Sequence, residues 1–458
     1  MLQNHHPFAG LSRKTCDGNT APSRIITNNK ELKMRKSLLA AAVALCPITT
    51  QAAPNVLLVI ADDMGVDASP CHAQGSSLAR MPTLSKLCAE GMVYDNAHAY
   101  PTCSPTRASI LTGLYSDRTG VGAAVQPKAG NGLSDKTPSL FDKLDASTSY
   151  SAAVVGKWHL ADQPRDLGHP AKLGVDTYFG IAGGGVKDYE SWRAVENGKA
   201  RQVSGYVTTE ITDYAIDWIS DQNRPWFMWL AYTAPHTPFH APPSALHSFG
   251  SLSTNSATIR RDPRKHYFAA LEALDHELGR LLDSLSNAER QDTIVIFTGD
   301  NGTPRQVARK LNTQKNAKGT IYNGGTQVPM VIAGPGIRAG RTSQPVQVTD
   351  LHDTILAIAD AKGQTEDSFD LSPSFQGRKI ARAATYIHSF GPKSSRGKPV
   401  FGWSMANEIH MLITPDGQAP QLYKTSDTGQ RRDLFKTKPS QAETIAQEFL
   451  ALRDDYLR

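Results

Sequence analysis

Four short apolar runs, Asn55 to Ile60, Ser151 to Val155, Trp226 to Tyr232 and Thr293 to Phe297, are uninterrupted where surface strands would alternate. Runs of this kind suit strands buried on both faces, as in a mainly parallel sheet covered by helices. Between them the apolar spacing becomes helical. Tyr267, Leu271, Leu274, Leu278, Leu281 and Leu285 recur at steps of four and three, and Leu84, Leu87 and Cys88 form a shorter stripe after Pro82, with Gly91 placed to end it. Ile211, Tyr214, Ala215, Trp218 and Ile219 make a third stripe, and Leu351, Ile355 and Ile358 a fourth. Strands alternating with helices predict a three-layer α/β sandwich around a large, mainly parallel mixed sheet. After about Phe375 the chain turns polar and turn-rich, with apolar stretches such as His410 to Thr414 and a closing helix over 441–457. That texture predicts a smaller C-terminal α+β subdomain at 376–458 behind the larger α/β domain at 53–375. The absence of repeats, heptads and low-complexity tracts argues against a scaffold or fibre.

The 458 residues, 40% of them hydrophobic and 20% charged, exclude a peptide scaffold and wholesale disorder. The net charge of +6 looks like a nucleic-acid signal until it is located. Residues 1–52 hold Arg13, Lys14, Arg24, Lys30, Lys33, Arg35 and Lys36 against Asp17 and Glu31, so five of those charges lie there and the rest of the chain is nearly neutral. Nucleic-acid binding loses its support. From Met34 the chain reads Met-Arg-Lys, an apolar run from Leu38 to Cys46, then small residues to Ala53. These are the parts of a secretory signal peptide at 34–52, too short to span a bilayer and with cleavage expected near Ala52. Met34 is then the true start and residues 1–33 a non-native upstream extension. Leu45 stands where lipidation at Cys46 would want a small residue. The expected location is periplasmic or secreted, with no membrane span. Cys71, Cys88 and Cys103 remain after cleavage. Cys71 and Cys88 are close enough in sequence to pair, which would leave Cys103 as an unpaired thiol in an oxidising space.

Two strand ends carry oxygen ligands. The first apolar run leads into Asp62-Asp63, and the run from Thr293 into Gly299-Asp300-Asn301-Gly302. Asn-Gly is a hairpin signal, yet Thr303 to Gly319 is long, polar and rich in Arg and Lys, so a hairpin is the poorer reading. In open α/β sheets ligands gather at the carboxyl ends of strands, and Asp62, Asp63, Asp300 and Asn301 together suit a hard cation, Ca²⁺ or Mg²⁺. Pro105 suits the first turn of a helix, which sets Cys103 at that helix's N-terminus, where negative charge is favoured.

Cys103-Ser104-Pro105-Thr106-Arg107, followed by Thr112-Gly113, resembles the signature of the formylglycine-dependent type I sulfatases of the alkaline phosphatase superfamily. Five further segments are similar in order: Asp62-Asp63-Met64-Gly65, Gly156-Lys157-Trp158-His159, Pro235-His236-Thr237-Pro238, Asp300-Asn301-Gly302, and Lys318 with Tyr322, Gly324, Gly325, Val328 and Pro329. The resemblance runs from about Pro54 to near the C-terminus. It implies an alkaline-phosphatase-like fold and a sulfuric ester hydrolase acting on a sulfated carbohydrate or other sulfate ester. Cys103 would be oxidised to formylglycine by a formylglycine-generating or anaerobic maturase, and residue 103 would join Asp62, Asp63, Asp300 and Asn301 at the metal. Arg107, Lys157 and Lys318 would hold sulfate charge, His236 would protonate the leaving oxygen and His159 would take a proton from the second hydroxyl of the hydrated aldehyde. Thr106, Asn323 and Gln327 depart from the family's usual residues, the last two removing a local salt bridge, and Tyr423-Lys424 matches only loosely. His240, Trp158 and Gly183-Gly184-Gly185 read as structural. A phosphate or phosphonate monoesterase of the same superfamily is the alternative enzyme, and a non-catalytic sulfated-glycan binder is the alternative of another class.

Overall fold

In the computed structural model, which describes residues 53–72, 79–308, 316–392 and 399–458, strand Asn55–Ala61 lies near the centre of a ten-stranded sheet. Val56, Leu58 and Ile60 enter one core, and Leu57, Val59 and Ala61 enter a second core on the opposite face, all fully buried. Two cores explain the uninterrupted apolar run, since neither face of this strand meets water. Across the sheet the order is Gly340–Thr342, Met92–Tyr94, Met330–Ala333, Thr293–Gly299, Asn55–Ala61, Trp226–Tyr232, Ser151–Lys157, Thr177–Ile181, Ser191–Glu196 and Lys199–Ser204. The five strands from Thr293–Gly299 to Thr177–Ile181 are parallel, and antiparallel pairings appear on either side of them.

Helices Pro82–Glu90, Val207–Ser220 and Arg264–Ser284 supply residues to one core, and Cys103–Thr112, Leu140–Ser147 and Leu351–Ile358 to the other. The layers are therefore helix, sheet, helix. Gly91 ends its helix as expected, but in an extended conformation: a Cβ there would lie 2.5 Å from the Ile332 carbonyl oxygen, so close packing on the sheet edge demands the glycine. Cys71 and Cys88 are joined by a disulfide. The expected extension at 1–33 and signal segment at 34–52 lie outside the described residues, as do Arg309, Lys310 and Lys315. Among the described residues no helix is long and apolar enough to cross a membrane.

The C-terminal part forms a second, antiparallel sheet from Ile387–Ser389, Gly402–Ala406, His410–Pro415 and Gln421–Lys424, with helix Pro439–Tyr456 packed on it. Arg382 links this region to the main domain from a fully buried position. Its guanidinium bonds Asp350 through Nε and Nη2, the Tyr115 hydroxyl and Ala384 carbonyl through Nη1, and the Asp367 carbonyl through Nη2. Removing one partner of such a pair leaves the other charge buried and uncompensated. Arg382→Met is expected to cost about 3–5 kcal/mol of stability, read as a lower urea midpoint with unchanged m. A parental midpoint would show that the pair contributes nothing net.

Candidate active site

Four neighbouring parallel strands deliver their carboxyl ends to one place. Asn55–Ala61 ends at Asp62-Asp63, Thr293–Gly299 at Asp300-Asn301, Ser151–Lys157 two residues before His159, and Trp226–Tyr232 four residues before His236. Helix Cys103–Thr112 points its N-terminus into the same space, with Thr106 Oγ1 accepting the Tyr100 N–H at 3.0 Å to seat it. Every residue that the sequence singles out for chemistry meets here. Asp63 (φ 76°) and His159 (φ 57°) both adopt left-handed backbone, which non-glycine residues accept only when their surroundings enforce it. At Asp63 the restraint comes from Tyr267, whose hydroxyl donates to the Asp63 carbonyl at 2.8 Å. Sequence patterning places Tyr267 in an apolar helical stripe and carries no sign of this bond.

Three buried carboxylates and three cations pair one to one. Arg107 donates to Asp300 Oδ2 through Nη2 at 2.7 Å and Nε at 3.1 Å, Lys157 Nζ donates to Asp62 Oδ2 at 2.5 Å, and Lys318 Nζ binds Asp63 Oδ1. Asp300 Oδ1 also accepts the Asp63 N–H at 3.0 Å, and Asn301 Nδ2 donates to Asp63 Oδ1 at 2.8 Å. Asp62 Oδ1 and Asn301 Oδ1 are left buried without a hydrogen-bond partner. Orphaned oxygens at the centre of an all-oxygen donor set are what a hard divalent cation would satisfy. Burial, together with the charges of Asp300 and Asp63, pushes the Asp62 carboxyl well above its ordinary value, a strain that such a cation would relieve. Burial acts the same way on Asp63 and Asp300. At Asp63 it is overcome chiefly by Lys318, which lowers that carboxyl to about 2, and at Asp300 by Arg107. Donor atoms of Asp62, Cys103 and Asp300 lie within 4.8 Å of one another, as do those of Asp62, Asp63 and His236.

Cys103 is the one free cysteine among the described residues and is buried at 2% exposure, with Sγ 3.1 Å from His159 Nδ1. Burial, then the neighbouring Lys157 and Arg107, holds the His159 imidazole well below its usual pKa, so the ring is neutral at physiological pH. His236 Nδ1 lies 2.7 Å from the Thr237 carbonyl oxygen, which can only accept, and Nε2 faces Asp63 Oδ2 at 3.9 Å. Burial lowers its pKa to about 3, against the pull of Asp63. The glycine run read as a structural turn lies over both rings: a Cβ on Gly184 would stand 2.7 Å from His159 Cε1 and Nε2, and one on Gly185 3.2 Å from His236 Nδ1. A bare triple glycine carries no sequence signal of that placement. Trp158 and His240 do have framework contacts, Trp158 donating to His169 Nδ1 at 3.0 Å and His240 stacking on Tyr189 at 3.7 Å. The Gln327 side chain donates to the Asp95 carbonyl at 2.9 Å, and the Asn323 backbone N–H donates to the Gln430 side chain at 3.1 Å. Arg305 is half-buried beyond the second ligand pair.

Comparison with known proteins gives a consistent picture. A family model described as Sulfatase matches residues 54–361. Arylsulfatase J of Mus musculus is 26% identical over 383 residues, covering 77% of this chain and 61% of that protein. N-acetylgalactosamine-6-sulfatase of Sus scrofa is 29% identical over 378 residues, covering 73% and 68%. Among solved structures, Ps i-CgsB in complex with k-i-k-neocarrahexaose superposes with a TM-score of 0.72 at 25% identity, covering 87% of this chain and 92% of that one.

Proposed function

The chain belongs to the sulfatase family, and from that premise we propose that it hydrolyses sulfate monoesters on a sulfated carbohydrate, using a formylglycine made from Cys103 and a bound Ca²⁺, after export to the periplasm or beyond. The observation that carries this reading is the Cys103 thiol held against His159 Nδ1 among the carboxylates of Asp62 and Asp300. An oligosaccharide complex of Ps i-CgsB and the name of the N-acetylgalactosamine-6-sulfatase favour a carbohydrate as the carrier of the ester.

Bound at Asp62, Asp63, Asp300, Asn301 and residue 103, a divalent cation would lower the pKa of a nucleophilic hydroxyl and neutralise charge on the sulfate. An aldehyde hydrate at 103 supplies one hydroxyl to attack sulfur and a second whose deprotonation expels sulfate, so no water need attack a stable ester. Three carboxylates and three side-chain cations balance at the site, so with a divalent cation held there its net charge would match an ionised nucleophile plus a monoanionic sulfate ester. Arg107, Lys157 and Lys318 would hold the charge of the sulfate oxygens. His159 Nδ1 takes the proton of the second hydroxyl. His236 starts neutral with Nε2 bare; the anionic ester beside it favours uptake of a solvent proton at Nε2, which then passes to the bridging oxygen.

Matured holoenzyme should turn over aryl sulfates and defined sulfated oligosaccharides faster than aryl phosphate or phosphonate esters, with the Cys103 peptide carrying the aldehyde mass. An intact thiol in fully active enzyme, or a preference for phosphonate, would sink the proposal. The two histidines should fail differently. His236→Ala is expected to slow alkyl and sugar sulfates on the order of 10²–10⁴-fold while sparing activated aryl sulfates, whose leaving oxygen needs little protonation. His159→Ala should instead trap a sulfated enzyme visible by intact mass. Equal losses on both substrate types for His236→Ala, with no adduct for His159→Ala, would overturn these role assignments.

A further inference from the structure

We propose that Ser104 is a positioning residue whose single hydroxyl sets the tautomer and orientation of His159 toward residue 103. Its side chain is fully buried one residue after Cys103, at the start of the helix. The hydroxyl donates to the His159 carbonyl at 2.9 Å and accepts the Val125 N–H at 2.9 Å. Val125 in turn places its carbonyl oxygen 3.0 Å from His159 Nε2. A carbonyl can only accept, so Nε2 carries the ring proton and, in the neutral ring, Nδ1 is left bare to accept from position 103, 3.1 Å away. One hydroxyl therefore ties down both ends of the same device, the left-handed backbone of His159 and the carbonyl that selects its tautomer. Two restraints come from further away. The Gly122 carbonyl, three residues before Val125, accepts from Ser389 Oγ at 3.2 Å and Phe390 N–H at 3.1 Å, so the C-terminal sheet braces the loop. Gly184 packs closely on the ring, where a Cβ would stand 2.7 Å from Cε1 and Nε2. Among the described residues of the nucleophile's own helix, Ser104 is the side chain that hydrogen-bonds both His159 and Val125.

The activity arm of this inference rests on the sulfatase reading, in which His159 accepts the proton that releases sulfate. The spectroscopic arm does not. Ser104→Ala and Ser104→Thr keep Cys103, Pro105 and Arg107, and turnover is expressed per aldehyde to remove any change in maturation. For Ser104→Ala, kcat on an aryl sulfate is expected to fall on the order of 10–100-fold, with KM little changed and a sulfated enzyme accumulating as it does for His159→Ala. Ser104→Thr, which keeps the hydroxyl, should recover most of the turnover. Ring nitrogen NMR of histidine-labelled protein, with His159 assigned by comparison with His159→Gln, should show Nε2–H alone in the parent and in Ser104→Thr, and a mixture of tautomers in Ser104→Ala. Parental kcat per aldehyde in Ser104→Ala overturns the proposal, whatever the ring spectrum. Equal loss in the alanine and threonine variants with an unchanged ring spectrum also overturns it, because it marks a packing defect. A parent that cleaves no sulfate ester sinks the sulfatase reading, and the ring spectra then decide the role of Ser104 by themselves.

Discussion

Cys103→Ala is expected to remove multiple turnover, on the order of 10⁴-fold or more, while the fold survives. Its thiol is buried, so survival of the fold does not rest on exposure. It rests on what the side chain touches: Sγ faces His159 and the carboxylate cluster, and alanine removes one sulfur from a polar pocket without emptying an apolar core. Thermal melting should therefore move little while activity disappears. Cys103→Ser is the sharper variant. A serine hydroxyl at the same position has one oxygen to attack with and none left to expel sulfate, so it should stop after one event as a serine sulfate ester. Rapid mixing with an aryl sulfate should give at most a single stoichiometric burst, and intact mass should show one added sulfo group. Sustained turnover by Cys103→Ser at the parental rate would refute the aldehyde mechanism.

Asp300→Asn should abolish both cation binding and activity. Asp300 accepts two bonds from the buried Arg107 guanidinium and one from the Asp63 N–H, so it connects the predicted metal ligands to the helix that carries residue 103. Asparagine keeps the volume but removes a negative charge from the donor set and leaves Arg107 without its carboxylate. Loss of a buried partner of this kind costs about 3–5 kcal/mol, so the variant should also melt earlier. Chelation of the parent should reproduce the loss of activity without the loss of Arg107's partner. Calcium or magnesium should then restore it better than zinc, because every predicted side-chain donor, the aldehyde hydrate at 103 included, is an oxygen. Calorimetric titration of the apo proteins with Ca²⁺ should give binding in the parent and none in Asp300→Asn. Equal calcium affinity and equal turnover in the two proteins would mean that the cation sits elsewhere, and stoichiometric zinc in active enzyme would mean that the donor set has been misread.

Much of the fold is legible in the chain because burial on both faces leaves an uninterrupted apolar run, and the four central runs all lie in strands of the sheet. Strands at and next to the sheet edges carry no such mark. Met92–Tyr94 and Gly340–Thr342 are three residues each, and Lys199–Ser204 exposes nearly every side chain. Their pairing follows from the backbone bonds that neighbouring strands offer, which leave no pattern in the residue types.

Which residues converge on the candidate site is likewise legible in the chain, since Cys103, Asp62-Asp63, Asp300-Asn301, His159 and His236 sit where apolar runs end or a helix starts, and a parallel sheet collects such ends on one side. Their pairing is not. Lys157 meets Asp62 across 95 residues of chain and Lys318 meets Asp63 across 255, and no local pattern records which cation will stand opposite which carboxylate. The same holds for Ser104, Tyr267 and Gly184, whose residue types suit a helix start, an apolar stripe and a turn. What they do is decided by the atoms that the tertiary fold brings against them: a hydrogen bond acts only over about 3 Å, and the chain must close before anything is that near.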